Sequence, residues 1–271
     1  MTRVTTALIA CAAALLVSAT AHAQGWNSAG LEQSALDASK TPSGPAPRRD
    51  LTGIWDAGGN GIAGAGHESA PWTDWAKQKA STFKPGNGPR AVYEADINDP
   101  LSTVCDPTGF PRQVLYETRP FQIVQTPNQV LILYMFERRW RTIWTDGRAL
   151  PTDPDPRWYG YSVGRWDDDT TFVVQTVGMD ERTWLDNAGN PHSGDMKVEE
   201  RYHRVSRNRM ELTVTIDDPK AYTKPWLGRD KMPLTLAHAN LDMMEMICSP
   251  TEVMDYRKFI DDRTSNRTDK K

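Results

Sequence analysis

The chain has 271 residues, a formal net charge of −3 and 38% hydrophobic residues. That length suits one substantial domain, and the mild acidity argues against a nucleic-acid or anionic-membrane partner. Past the N-terminus no apolar run approaches the roughly 18 residues of a membrane-crossing helix.

Met1-Thr2-Arg3, the apolar run Leu8 to Val17 and the small-residue site Ala21-His22-Ala23 read as an export signal cut after Ala23. Removing it leaves 271 − 23 = 248 residues and, with Arg3 gone, a charge of −3 − 1 = −4. Leu8-Ile9-Ala10-Cys11 loosely matches a lipoprotein box, but Cys11 has almost no apolar core before it, so soluble export to the periplasm or medium is expected. In an oxidising compartment the two remaining cysteines, Cys105 and Cys248, are expected to pair.

Residues 24–50 end in PSGPAPRRD and read as a flexible leader. The domain is expected over 51–253. It opens at Leu51-Thr52-Gly53-Ile54-Trp55, a Gly-x-Trp at a strand head, where lipocalin-like barrels place the tryptophan that closes their narrow end. Gly58 to Gly66 lacks the lysine of a phosphate loop, and Pro71 to Phe83 suits a short helix. Phe121 to Gln125 and Val130 to Phe136 flank a Pro-Asn-Gln turn as a hairpin, and Glu137 to Trp144 continues the alternation. Asp146-Gly147 is a turn, and Ala149 to Arg157 is a loop broken by prolines. Trp158 to Trp166 with Thr170 to Val177, and Val198 to Val205 with Met210 to Ile216, form two more hairpins. In the last of these, Met210, Leu212, Val214 and Ile216 alternate with polar residues, so one face is buried. Leu234 to Cys248 is expected to close the sheet, with residues 254–271 a fraying charged tail. Serial hairpins predict an all-β, antiparallel, lipocalin-like barrel with an N-terminal extension and a few short helices.

The segments DGR (146–148), GYSVGRW (160–166), DDDTTFVVQTVG (167–178), RTWLD (182–186), PHS (191–193) and ERY (200–202) together resemble an uncharacterised family of exported, β-rich bacterial proteins. The resemblance spans most of 51–248 and implies no particular activity. Where that family more often has Glu-Gly-Asp-Thr, this chain has Asp167-Asp168-Asp169-Thr170, a change confined to a hairpin tip.

Gly160-Tyr161-Ser162-Val163-Gly164 spells a nucleophile elbow, but a strand follows where that motif needs a helix. A serine hydrolase is therefore disfavoured, and the glycines read as space for a ligand or a packed ring. His67, His192, His203 and His238 form no ligand pair and no cysteine pair has zinc spacing, so neither metal nor cofactor is expected. Of the strand arginines, Arg139 and Arg141 share a face opposite Arg138, and an arginine inside a barrel needs a carboxylate or an anionic ligand. Either Glu199 or Glu200, which face opposite ways, can supply that carboxylate.

The densest chemistry lies in Gly178 to Tyr202, which reads as a long loop between strands. His192 is the candidate acid or base, with Asp180, Asp186 and Glu200 as partners. Arg141 and Arg148 are candidate anion stabilisers; Tyr159, Tyr161, Arg182 and Trp184 complete a binding surface for a small cyclic or aromatic molecule. The first expectation is a cofactor-independent lyase or isomerase. The alternative is a barrel that binds a small molecule without changing it; a structural envelope protein ranks third. Oligomeric state is not legible.

Overall fold

A computed structural model describes residues 43–59, 70–116, 118–239 and 241–268, all within one compact unit. The expected export signal, most of the expected leader and most of the glycine-rich loop lie outside the described residues.

Nine strands close into one barrel in sequence order. They are β1 Gly53–Asp56, β2 Phe121–Gln125, β3 Gln129–Tyr134, β4 Trp140–Trp144, β5 Tyr161–Trp166, β6 Thr171–Val177, β7 Lys197–Ser206, β8 Arg209–Asp217 and β9 Trp226–Leu236. The helices are short: α1 Asp74–Ala80, α2 Pro100–Val104 and α3 Arg112–Leu115, with a longer α4 Pro250–Thr268 at the end. Thr73 caps α1 by accepting from the Ala76 amide at 3.2 Å, as an N-cap threonine should.

The expected all-antiparallel order fails at one place, for a topological reason. Strands that alternate in direction cannot close a ring of nine without one like-directed pair. That pair is β4–β5, joined only through Ile143↔Ser162 and Trp144↔Val163. The prolines at 151, 154 and 156 carry the connection back to the end where β4 began. Every other neighbour is antiparallel, including β1 with β9.

The period-two pattern sets the interior. Met210, Leu212, Val214 and Ile216 of β8 are buried beside Val198, Glu200 and Tyr202 of β7. Ile132 and Tyr134 of β3 face inward with Ile143 of β4. Gly164 makes room for a packed ring: a Cβ there would meet Phe172 Cζ at 2.3 Å. At one end Trp55 is fully buried, donates to the Leu51 carbonyl at 2.8 Å and carries the Arg204 guanidinium 4.8 Å from its ring.

Several boundaries differ from the sequence expectation. The strand expected over Glu137 to Trp144 begins only at Trp140, because Glu137 and Arg138 take positive φ in a turn, and the one expected from Trp158 begins at Tyr161. The closing strand is β9, which starts at Trp226, and most of Leu234 to Cys248 is non-strand chain. Glycine at 228 and proline at 233 obscured the strand, because both are poor strand residues. The tail is helix α4, held by Arg257 Nη1 donating to the Ile97 carbonyl at 3.1 Å. The last leader residues are anchored, with the Arg207 amide on the Gly44 carbonyl at 2.9 Å and Arg48 paired to Asp169 at 2.8 Å. The expected disulfide is present between Cys105 and Cys248.

Candidate functional site

The β4–β5 seam is short, and a cleft of about 570 Å³ opens along it. Trp144, Trp158, Tyr159 and Tyr161 line it, with Arg148 and Arg157 among its polar residues. Four residues expected from sequence to bind a ligand meet here: Arg141, Arg148, Tyr159 and Tyr161. Gly160 enables the approach. Its φ is +61°, and a Cβ would sit 2.6 Å from the Val177 carbonyl oxygen.

Cations stack on the aromatic residues. The guanidinium of Arg148 lies 3.6 Å from the Trp144 ring centroid, Arg157 lies 4.0 Å from Tyr161 and Arg182 lies 4.3 Å from Trp158. Two of these charges are answered locally. Arg148 Nη2 meets Asp146 at 2.6 Å, and Arg182 Nη2 meets Asp180 at 2.7 Å. Those hydrogen bonds hold both aspartates below their ordinary carboxylate range. Arg157 is exposed and has no carboxylate partner among the described residues.

Below the cleft floor lies the buried network of Arg141. Its side chain is 1% exposed, its Nη2 donates to Glu200 Oε2 at 2.6 Å and to Thr176 Oγ1 at 2.6 Å, and its Nε donates to Ser162 Oγ at 3.0 Å. The Tyr202 hydroxyl donates to the other Glu200 oxygen at 2.7 Å. The guanidinium lies 3.7 Å over the Phe110 ring. Burial works against the Arg141 charge, but Glu200 together with Tyr134 and Tyr202 outweighs it and raises its pKa. Among the described residues, Arg141 Nη1 and the Tyr134 hydroxyl have no hydrogen-bond partner. Burial pushes the Tyr134 hydroxyl up to about 12, with Arg141 pulling the other way. Burial, then Glu200, raises Tyr202 well above its ordinary value, so both phenols stay protonated.

Ser162 is bound to Arg141 and lies 3.1 Å from Thr176 Oγ1. It is the second residue of β5, and its hydroxyl bonds an arginine and a threonine.

The expected histidine–carboxylate pair does not form. His192 is fully buried, Thr183 Oγ1 lies 2.7 Å from its Nε2, and its Nδ1 lies 3.0 Å from the Ser193 carbonyl. A carbonyl only accepts, so Nδ1 carries a proton toward Ser193, while the one Thr183 hydroxyl proton is contested between Nε2 and the Asp180 carbonyl at 2.9 Å. Both ring nitrogens are therefore taken by neutral groups, because the loop turns the ring into its own packing rather than toward a cleft. Asp186 is buried and turns the loop instead, accepting from the Ala188 amide at 2.9 Å and the Asn190 side chain at 2.7 Å. Trp184 stacks on Phe83 at 4.5 Å, away from the cleft lining. β7 begins at Lys197, one residue before the expected Val198, so the end of the 178–202 stretch is strand.

Burial lowers the His192 pKa below its ordinary 6.5. The unfolded chain therefore takes up a proton below pH 6.5 that the folded chain refuses. Stability is full above 6.5 and falls as pH drops toward the folded value, by up to about 1.4 kcal/mol per pH unit. Denaturant melts from pH 7 to 5 are expected to show a shallower decline for His192→Gln than for the wild type. Equal slopes would show that His192 is not the group responsible.

Sequence reasoning missed Arg157, Trp144, Tyr202 and Thr176. Thr176 and Tyr202 were detectable as polar groups in the inward phase of apolar strands. Arg157 carried no signal, because nothing local marks which loop cation stacks at a seam. Comparison with family models, curated proteins and solved structures finds no match, so the chemistry of the site is read from its geometry alone.

Proposed function

We propose that the protein binds a small planar anion of the aromatic carboxylate type in the β4–β5 cleft and holds it without chemical change. The observation that carries this is Arg157, an exposed guanidinium without a carboxylate, stacked on Tyr161 beside a cleft lined by tryptophan and tyrosine. Aromatic residues supply flat apolar area, and a guanidinium fork fits a carboxylate. Arg141 adds positive charge beneath, although Glu200 answers most of it.

The proposal favours binding over acid–base catalysis. His192 has no exposed surface, is absent from the cleft lining and is held neutral by burial. Export to an oxidising compartment belongs to the same proposal. It is supported by the Cys105–Cys248 disulfide and by the absence, among the described residues, of any helix long and apolar enough to cross a membrane.

Trp140, Trp144 and Trp158 line the cleft, so tryptophan fluorescence reports occupancy. Titration with a panel of aromatic carboxylates and their matching amides is expected to select carboxylates. Arg157→Gln should weaken carboxylate binding by about tenfold and leave amide binding nearly unchanged, as befits a partly exposed charge-assisted contact. Mass spectrometry after long incubation should recover the ligand unaltered. Equal binding of carboxylates and amides, or conversion that His192→Ala abolishes without loss of stability, would overturn the proposal.

A further inference from the structure

A second cleft, about 670 Å³, lies between the end of β3 and the segment leading into α4. Its apolar walls include Ile97, Leu101, Phe136, Met246 and Ile247. The Phe136↔Met246 bridge and the Glu137 amide on the Met246 carbonyl dock that segment as one wall. Two polar groups in the lining lack the partners their burial calls for.

The first is Glu137, only 8% exposed. Its Oε2 accepts from the Thr108 amide at 2.8 Å and from the Thr108 hydroxyl at 2.6 Å. No bond to Oε1 and no cation paired with this carboxylate occur among the described residues. A buried carboxylate is ordinarily paired with a cation, because taking a lone anion out of water is costly. The second is Arg112, only 3% exposed. Its two terminal nitrogens meet Asp99 at 2.9 and 2.6 Å, but its Nε has no acceptor. The other cation in the lining, Arg119, is itself engaged. The cleft thus holds one unanswered negative group and one unanswered N–H between apolar walls.

We infer that this cleft is a second ligand site, separate from the β4–β5 cleft, for a small organic ammonium with an apolar body and a neutral oxygen acceptor. The ammonium donates to Glu137 Oε1, the oxygen accepts from Arg112 Nε, and the apolar part lies against Leu101, Phe136 and Met246. A free carboxylate is disfavoured, because Asp99 already occupies the Arg112 fork and Glu245 adds a further negative group to the lining.

The probe is L-leucinamide, with N-acetyl-leucinamide as the uncharged control, titrated into the full-length disulfide-bonded protein by calorimetry. Leucinamide is expected to bind one to one, and the acetylated control at least about tenfold more weakly, as loss of a charge-assisted contact implies. Glu137→Gln keeps an oxygen for Thr108 and should weaken leucinamide by a similar factor. Leu101→Trp should block it by filling the apolar wall without altering charge. Near-ultraviolet circular dichroism confirms that each variant is folded. Absence of leucinamide binding to the wild type, equal binding of the two probes, or unchanged affinity in folded Glu137→Gln would each overturn the inference.

Discussion

Replacing Glu200 with alanine is expected to destabilise the barrel by roughly 3–5 kcal/mol, the usual cost of stranding one member of a buried ion pair. Arg141 would then keep its charge with only Ser162 and Thr176 for partners, while Nη1 remains unsatisfied. The Tyr202 hydroxyl would lose its acceptor in the same step. For a domain of this size, each kcal/mol moves the midpoint by about 2–4 °C, so Tm should fall by roughly 6–20 °C. The double variant Arg141→Met with Glu200→Leu should recover most of the loss, because an apolar pair of similar volume avoids desolvating two charges. Thermal melts of the three variants decide the matter. A loss below about 1 kcal/mol in Glu200→Ala would mean that water reaches Arg141 and that the network is not sealed.

The Arg141–Glu200 pair also shows what the sequence made legible. Period two set Arg139 and Arg141 against Arg138 without saying which arginine turns inward, required a carboxylate for that one, and through the opposed faces of Glu199 and Glu200 narrowed the partner to one of two. The same logic recovered the β-barrel and the hairpins, since alternation reports directly on which face meets a core, while the burial of Trp55 followed from the Gly-x-Trp likeness to lipocalin-like barrels. The parity of two cysteines recovered the disulfide. Inference failed where the determining contact was distant in the chain. His192 sits among acidic residues in sequence, but the fold gives its ring to Thr183 and Ser193. Asp180 and Asp186 were expected to orient a catalytic ring; one instead pairs with Arg182 and the other turns the loop. The β4–β5 cleft depends on where an odd strand count forces a parallel seam, and no local pattern encodes that. The second cleft depends on residues 245–248 packing beside Glu137, which the misplaced closing strand concealed.

Removal of the disulfide by Cys105→Ser with Cys248→Ser is expected to cost about 2–5 kcal/mol. The bond closes a loop spanning 143 residues, long enough that chain-entropy reasoning places the effect toward the upper end of that range. The loss should not fall evenly over the molecule. The barrel has its own closed ladder of hydrogen bonds, whereas the segment before α4 is held to it by few contacts. Those contacts include the Glu137 amide on the Met246 carbonyl and Arg138 Nη1 on the Met243 carbonyl at 3.0 Å. Cys105 anchors this segment from the end of α2, so without the bond the segment should open before the barrel unfolds. Hydrogen exchange is expected to rise at 241–249 well below the global melting temperature, while β6 to β8 keep wild-type protection. Limited proteolysis should cut the double-serine variant in that segment first. Uniform loss of protection across the barrel would instead make the bond part of the global folding unit, and an unchanged melt would deny it any stabilising role. Because the segment supplies one wall of the second cleft, leucinamide binding should weaken in step with its opening, while aromatic carboxylate binding at the β4–β5 seam should persist as long as the barrel does.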